Sequence, residues 1–206
     1  MSSKSNLNGV VLAVLAVAGL LSSVATAHLP IPPKEPSDIG RRVVRKAVPE
    51  FKLTDQDGNP FRFTGARGKW VLVTFIFTTC PDVCPLLTAK LAAIQRTLEE
   101  KNVKEYLLLT ITTDPEHDTP ATLKQYSGRF KADLRRWSFL TGTRAELTKV
   151  WKDFGVNVVK NESGQVQHTS VTTLVDRRGN RRVDYYGDKW QDQEVVKDIQ
   201  LLGAAN

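Results

Sequence analysis

The sequence predicts an α/β fold in which helices sandwich a mixed central sheet. Residues 70–77 and 106–113 are nearly continuous runs of apolar, β-branched and aromatic residues, which is typical of strands buried on both faces. A segment with helical spacing of its apolar residues follows the first run, a capped helix start follows the second, and a β-hairpin and a helix close the chain. Strands that alternate with helices in this way form layered α/β domains. The 206 residues, 41% of them hydrophobic, are enough for one such domain with an ordinary core.

The first 27 residues predict an export signal or a membrane anchor. Lys4 precedes an apolar run over residues 10–21, and Ala25-Thr26-Ala27 supplies an A-x-A cleavage pattern. The stretch 9–27 carries no charge and is long enough to cross a bilayer if it is not removed. Since both alternatives export the remaining chain, we expect a protein that is periplasmic or anchored to the outer face of a bacterial cytoplasmic membrane.

Residues 28–49 are predicted to form an extended tether, and residues 50–206 the folded domain. A high density of proline favours extended backbone over packed elements. The tether contains five prolines: Pro30, Pro32, Pro33, Pro36 and Pro49.

The folded domain is predicted to begin with a β-hairpin at its N-terminus. Residues 51–53 and 61–63 alternate apolar and polar side chains on either side of a turn sequence at 55–59. After the buried strand at 70–77, helical spacing of apolar residues predicts an amphipathic helix that ends near Glu100. The residues with this spacing are Leu87, Leu91, Ile94 and Leu98.

Two further helices have clear start signals. Thr119 is a predicted N-cap, and Pro120 suits the first helical position that follows it. Thr143 and Glu146 form a predicted capping box that opens a helix ending near Phe154. The remaining predicted elements are a strand at 137–140, a hairpin of strands at 169–176 and 182–186, and a last helix at 191–202.

The net charge is +7, and basic residues cluster mildly at residues 41–46 and 177–182. Neither cluster contains interleaved aromatic residues, and the chain is predicted to be exported, so we do not expect nucleic acid as a partner. We interpret both clusters as solvated surface, or as surface that attracts anionic lipid or an acidic protein.

The chain's only two cysteines lie in the run C-P-D-V-C-P at residues 80–85. A disulfide between Cys80 and Cys84 would close a very short loop and add only about 2 kcal/mol to stability. Chemistry is the better interpretation, because the pair follows a buried strand and precedes a helix, where α/β sheets bind ligands. Pro85 suits a first helical position, so Cys84 is expected near the helix N-terminus, where the dipole favours a thiolate.

The three-residue gap between the cysteines favours a metal site and does not exclude a disulfide. A thioredoxin-like redox motif has a gap of two, whereas positions four apart lie on one face of a helix. No methionine follows Met1, so the remaining soft or imidazole ligands are His28, His117 and His168. Two thiolates and one imidazole suit Cu(I), while structural zinc would need a fourth ligand.

Each further candidate ligand also has a plain structural interpretation. His168 stands between a polar loop and a strand, where it is either a metal ligand or a histidine that hydrogen-bonds at a loop end. His117 lies in a charged turn and is expected on the surface. His28 would chelate Cu(II) only as a mature N-terminus. Asp82 is either an exposed turn residue or a hydrogen-bonding partner that tunes the site.

Five motifs, in this order and spacing, resemble the Sco/SenC family over residues 49–186. They are K-L-T-D-Q-D-G at 52–58, G-K-W at 68–70, F-T-T-C-P-D-V-C-P at 77–85, D-P-E-H-D-T-P at 114–120 and L-T-G-T at 140–143. The resemblance implies a thioredoxin-like fold and copper ligation by Cys80, Cys84 and His168. The sequence departs from the family at His117, where arginine is usual, and at Gln167, where aspartate usually precedes the ligand histidine.

The resemblance also implies a function. Members of the family deliver copper, as Cu(I) or Cu(II), to the dinuclear copper site of cytochrome c oxidase subunit II, or reduce its thiols, during assembly. The lead hypothesis is therefore a copper metallochaperone that exchanges copper with other carriers and with subunit II or another exported copper protein. The alternative is a thiol–disulfide oxidoreductase acting on an exported target through Cys80 and Cys84. A peroxiredoxin is disfavoured, because Phe77 and Val73 stand where that class has threonine and proline.

Overall fold

A six-stranded mixed sheet forms the centre of the fold, as the sequence predicts. The computed structural model describes residues 40–162 and 165–204. In spatial order the strands are β1 (Arg41–Ala47), β10 (Asn180–Tyr186), β9 (Val171–Val175), β4 (Trp70–Ile76), β5 (Tyr106–Thr112) and β6 (Trp137–Leu140). Strands β4, β5 and β6 are parallel, whereas β9, β10 and β1 are added antiparallel to their neighbours.

Helices cover both faces of this sheet. The helices are α1 (Val83–Glu100), α2 (Pro120–Arg129), α3 (Arg144–Phe154) and α4 (Asp192–Ala204). Successive side chains of β4 point to opposite faces, so Leu72 and Ile76 enter a core with α1, α2 and α4, while Val73 and Phe75 enter a second core with α3. Burying each such side chain contributes about 1.5–3 kcal/mol, which explains why β4 is apolar along its whole length.

The predicted helix caps are confirmed. The Thr119 hydroxyl accepts a hydrogen bond from the Thr122 amide at 3.2 Å, and Pro120 is the first residue of α2. Thr143 and Glu146 form the reciprocal capping box at the start of α3. An N-cap of this kind contributes about 1 kcal/mol, so these local signals fix where both helices begin.

Two small hairpins flank the sheet. The first, β2 (Lys52–Thr54) with β3 (Pro60–Arg62), is the predicted N-terminal hairpin. The second, β7 (Val158–Lys160) with β8 (Val166–His168), occupies a segment for which the sequence predicts only a polar loop. Each of its strands has three residues, and the middle side chain of each is exposed. Such short strands lack the apolar alternation that would have predicted them from the sequence.

The predicted tether at residues 28–49 is wrong for its last part. Residues Arg41–Ala47 form β1, which pairs antiparallel with β10, and Val48 is buried beside them. An edge strand that is exposed along most of its length needs no apolar alternation, and the sequence R-R-V-V-R-K-A has none. The folded part of the chain therefore includes residues 40–49.

The rest of the predicted tether, and the predicted signal or anchor at residues 1–27, lie outside the described residues. Within the described part of the chain, no helix is both long enough and apolar enough to span a bilayer.

Candidate metal centre

The cysteine loop lies between the carboxyl end of β4 and the first turn of α1. The Cys80 amide donates a hydrogen bond to the Phe77 carbonyl at 3.2 Å, which turns the chain back toward the helix. The helix begins at Val83, so Cys84 is its second residue. Both sulfurs therefore lie at the sheet edge where the sequence places a ligand site.

The two cysteines differ in exposure, and both are free thiols. Cys84 is completely buried in the core beneath α1, whereas Cys80 is half-buried. Burial is the main cause that raises the pKa of Cys84, and the neighbouring Cys80 side chain raises it further. Burial therefore opposes the thiolate that the helix N-terminus is predicted to favour.

His168 faces the buried thiol. It is the last residue of β8, and its Nε2 lies 4.0 Å from the Sγ of Cys84. Its Nδ1 lies 3.0 Å from the Thr169 carbonyl, and since a carbonyl only accepts, Nδ1 carries the proton. Burial lowers the pKa of His168, which keeps the ring neutral. Nε2 therefore carries a free lone pair on the side of the ring that faces the Cys84 sulfur.

The sheet topology brings these distant residues together. Strand β9 begins just after His168 and pairs antiparallel with β4, with Thr172 opposite Thr74. The start of β9 is thus level with the end of β4, where the cysteine loop begins. The Phe77 ring packs edge-on against the His168 ring, with centroids 5.9 Å apart, and holds the imidazole against the loop.

A buried aspartate fixes the start of the cysteine loop. Asp118 accepts hydrogen bonds from the amide of Thr78 at 3.1 Å and from its hydroxyl at 2.5 Å, and a third from the Thr112 hydroxyl at 2.5 Å. Burial raises the pKa of Asp118, while these donors lower it. The position of Asp118 directly before a capped helix start is the sequence signal that could have predicted this role.

The remaining candidates within the described residues are exposed side chains, and His117 lines a cavity with Thr79 and Pro81 beside Cys80. His117 is mostly exposed, and its Nδ1 is 2.6 Å from the Asp114 carboxylate. Asp82 is exposed and its side chain makes no capping hydrogen bond to α1. Gln167 is exposed as well. His28 lies outside the described residues.

Two of the predicted ligands, Cys84 and His168, lie in contact with each other. Within residues 40–162 and 165–204, no three His, Cys, Asp or Glu side chains already converge as a metal site. The structure does bring Cys84 and His168 together. Bonds of the length that zinc makes, about 2.3 Å to sulfur and about 2.0 Å to imidazole, would put the two donor atoms about 3.7 Å apart at a trigonal angle. The observed 4.0 Å is close to that separation.

Comparison with known proteins supports the predicted family. The SCO1/SenC family model matches residues 41–203. The structure of a SCO1/SenC family lipoprotein from Bacillus anthracis is similar with a TM-score of 0.73 and 31% identity, covering 79% of this chain and 98% of that one.

Two other solved structures are similar. One is Bradyrhizobium japonicum ScoI with copper bound, at 32% identity and a TM-score of 0.64, covering 75% of this chain and 98% of that one. The other is BsSco, a member of the Sco family of cytochrome c oxidase assembly proteins in which a disulfide switch is identified. It is 28% identical with a TM-score of 0.67, covering 77% of this chain and 94% of that one.

These neighbours confirm the predicted thioredoxin-like fold. The family match extends from the start of β1 into α4 and includes the cysteine loop and His168. The chain belongs to the SCO1/SenC family.

Proposed function

We propose that this protein is a copper metallochaperone that binds one copper ion through Cys80, Cys84 and His168. The observation that carries the proposal is the approach of the His168 Nε2 to the Cys84 Sγ at 4.0 Å, with the proton of the ring held on Nδ1. A hydrogen bond at the second ring nitrogen is the usual device that fixes a metal-binding imidazole.

The ligand set favours Cu(I). Two thiolates and one imidazole are soft donors in a trigonal number, which suits Cu(I) better than zinc. The thiol proton of Cys84 leaves when the metal binds, since the thiolate is the ligand. Asp118 keeps the loop start in place through Thr78.

The proposed role is assembly of the dinuclear copper site of cytochrome c oxidase. The membership in a family whose relatives include a copper-bound ScoI and an oxidase assembly protein supports this assignment. We propose that the protein is exported, that it is periplasmic or anchored to the outer face of the membrane, and that it exchanges copper with other carriers. Its recipient is subunit II or another exported copper protein.

Anaerobic titration of the reduced full chain with Cu(I), read by chelator competition and by copper and sulfur X-ray absorption, tests the proposal. We expect one bound copper with two sulfur ligands and one imidazole ligand. Cys80→Ser, Cys84→Ser and His168→Ala should each weaken binding at least about tenfold, because each removes a direct ligand.

His117→Ala is the matched control, because His117 is an exposed histidine whose Nδ1 contacts the Asp114 carboxylate. We expect it to bind copper like the wild type. Wild-type affinity in all three ligand variants would disprove the proposal.

A second candidate function is thiol–disulfide exchange. The half-buried Cys80 beside the buried Cys84 favours it, since one sulfur is accessible for attack and the other is placed to resolve a mixed disulfide. Reduction of a target disulfide would leave Cys80 and Cys84 joined and the target with two thiols. His168→Ala should retain this reaction, whereas a copper chaperone needs the histidine. Failure of the reduced protein to exchange with any protein disulfide would exclude this alternative.

A further inference from the structure

Four cations converge on a cavity at the edge of the sheet. The cavity, which we call the basic cavity, has a volume of about 340 Å³ and lies between β1 and the turn that joins β9 to β10. The cations that line it are Arg45, Lys46, Arg178 and Arg182. Arg67 and Arg177 stand beside it, held by hydrogen bonds to the backbone carbonyls of Arg178 and Gly68.

Most of this charge has no counter-ion. One acid lines the basic cavity, Asp176, and its carboxylate is occupied by the turn amides of Arg178 and Asn180 and by the Arg182 guanidinium at 3.1 Å. In the described part of the chain, no ion pair is formed by Arg45, Lys46 or Arg178. Three exposed cations that face one concave surface form an attractive site for a phosphate group.

The basic cavity lies at the opposite end of the sheet from the cysteine loop. Lys46 is paired with Arg181, Arg181 with Val175, and Val175 with Val71 near the start of β4. The cysteine loop follows the other end of this seven-residue strand, so about 20 Å of sheet separates the two. A copper acceptor must reach the thiols, and a partner held at the basic cavity would not touch them. This separation favours a membrane surface over a copper-receiving protein as the occupant.

The N-terminal segment can accommodate this orientation. Strand β1 starts at the end of the sheet near the cysteine loop and runs to the basic cavity. Its seven residues cover about 23 Å. The twelve residues 28–39 can span at most about 40 Å between an anchor at residues 1–27 and Gly40. An anchored chain can therefore place the basic cavity on the lipid.

We propose that the basic cavity binds phosphate-bearing headgroups of anionic lipids and so docks the domain on a membrane with its thiol pair turned away from the bilayer. The surface fits this partner by charge, by its concave shape and by its distance from the metal centre. Anionic bilayers attract such surfaces with an energy of order 1 kcal/mol for each nearby Lys or Arg, screened by salt.

Vesicle co-sedimentation of the full chain tests this proposal. The wild type is compared with the triple variant Arg45→Gln, Lys46→Gln and Arg178→Gln on vesicles of 30% phosphatidylglycerol in phosphatidylcholine and on pure phosphatidylcholine. The N-terminal segment contributes equally in both proteins, so the measured quantity is the preference for the anionic vesicles. We expect the ratio of binding to anionic over neutral vesicles to be at least about tenfold lower for the triple variant. We expect 0.5 M salt to abolish the wild-type preference.

The matched control removes three exposed cations elsewhere, as Arg96→Gln, Lys104→Gln and Lys149→Gln. It should keep the wild-type preference, and an equal loss in both triple variants would overturn the proposal, as would no loss in either. If the first triple variant does not fold, the single variants Arg45→Gln and Arg178→Gln replace it. Each should lose part of the preference for anionic vesicles.

A second measurement checks the orientation. Alkylation of Cys80 by a charged, membrane-impermeant maleimide should proceed at the same rate with and without anionic vesicles, because the cysteine loop faces away from the lipid. Protection of Cys80 by the vesicles would overturn the orientation. Copper stoichiometry should match the wild type in both triple variants, which separates this proposal from the proposed copper function.

Discussion

Cys84 and His168 are both held in their neutral forms by burial, which acts on the two groups in opposite directions. It raises the pKa of the thiol and lowers the pKa of the imidazole. The core thus avoids an isolated buried charge, whose desolvation would be expensive. In the proposed copper site the Cys84 thiol would lose its proton to become a ligand, whereas His168 would stay neutral and offer the Nε2 lone pair.

His168 should make the stability of the metal-free protein depend on pH. Because its pKa is lower in the folded than in the unfolded chain, the unfolded chain takes up the proton first as pH falls below the ordinary value of 6.5. The free energy of unfolding should therefore fall between pH 7 and pH 5, and His168→Gln should reduce that fall. Urea unfolding at pH 5, 6 and 7 measures it.

All other ionisable groups are common to the wild type and His168→Gln. An identical pH dependence of the two proteins would therefore contradict the assigned burial of His168.

At the scale of elements, β1 is joined to the last helix by a partly buried ion pair. Arg41 contacts Asp198 through two hydrogen bonds of 2.9 and 2.8 Å, and the buried Tyr185 hydroxyl donates to the same carboxylate at 2.5 Å. An edge strand that is otherwise exposed is thereby attached to α4 and to β10 by one carboxylate.

Arg41→Ala should lower the free energy of unfolding by about 2 kcal/mol, because it leaves the Asp198 carboxylate without its charged partner. Arg42→Ala, one position along the same strand, removes an exposed arginine and should change stability by less than about 0.5 kcal/mol. Chemical denaturation measures both. Equal stability of the two variants would show that the Arg41–Asp198 pair does not hold β1.

Elements with local signals are predictable from the sequence, and elements formed by pairing are not. Thr119 and Thr143 mark their helices because a cap is a contact between residues a few positions apart. Strand β1 exists because β10 lies beside it, 140 positions or so along the chain, and β7 and β8 are too short to show a period. For the same reason the sequence predicts Cys80, Cys84 and His168 as candidate ligands but does not reveal the burial of Cys84.

At the scale of the whole molecule, the proposed metal centre joins segments that are far apart in sequence. Cys84 and His168 are separated by 84 positions. A metal that binds both residues in the folded chain cannot bind them with the same geometry in the unfolded chain. It therefore stabilises the folded state by mass action. The copper proposal therefore has a consequence for thermal unfolding.

One equivalent of Cu(I) should raise the midpoint of thermal unfolding by about 5 °C or more. A shift of this size is expected for a chain of this length when the dissociation constant lies well below the protein concentration. Differential scanning calorimetry under anaerobic conditions measures the shift, and a Cu(I) chelator should reverse it. His168→Ala should show a reduced shift and His117→Ala the full one. A full shift in His168→Ala would mean that copper stabilises the fold through other ligands.

The unequal exposure of Cys80 and Cys84 gives the proposed copper exchange an order in time. An incoming donor or acceptor meets the half-buried Cys80 sulfur first, while the Cys84 sulfur has no access to solvent. Loading then begins at Cys80 and ends at Cys84, and unloading runs in the reverse sequence. Cys80 would then determine the rate at which the metal moves between proteins. Cys84 and His168 would determine how long the metal stays bound.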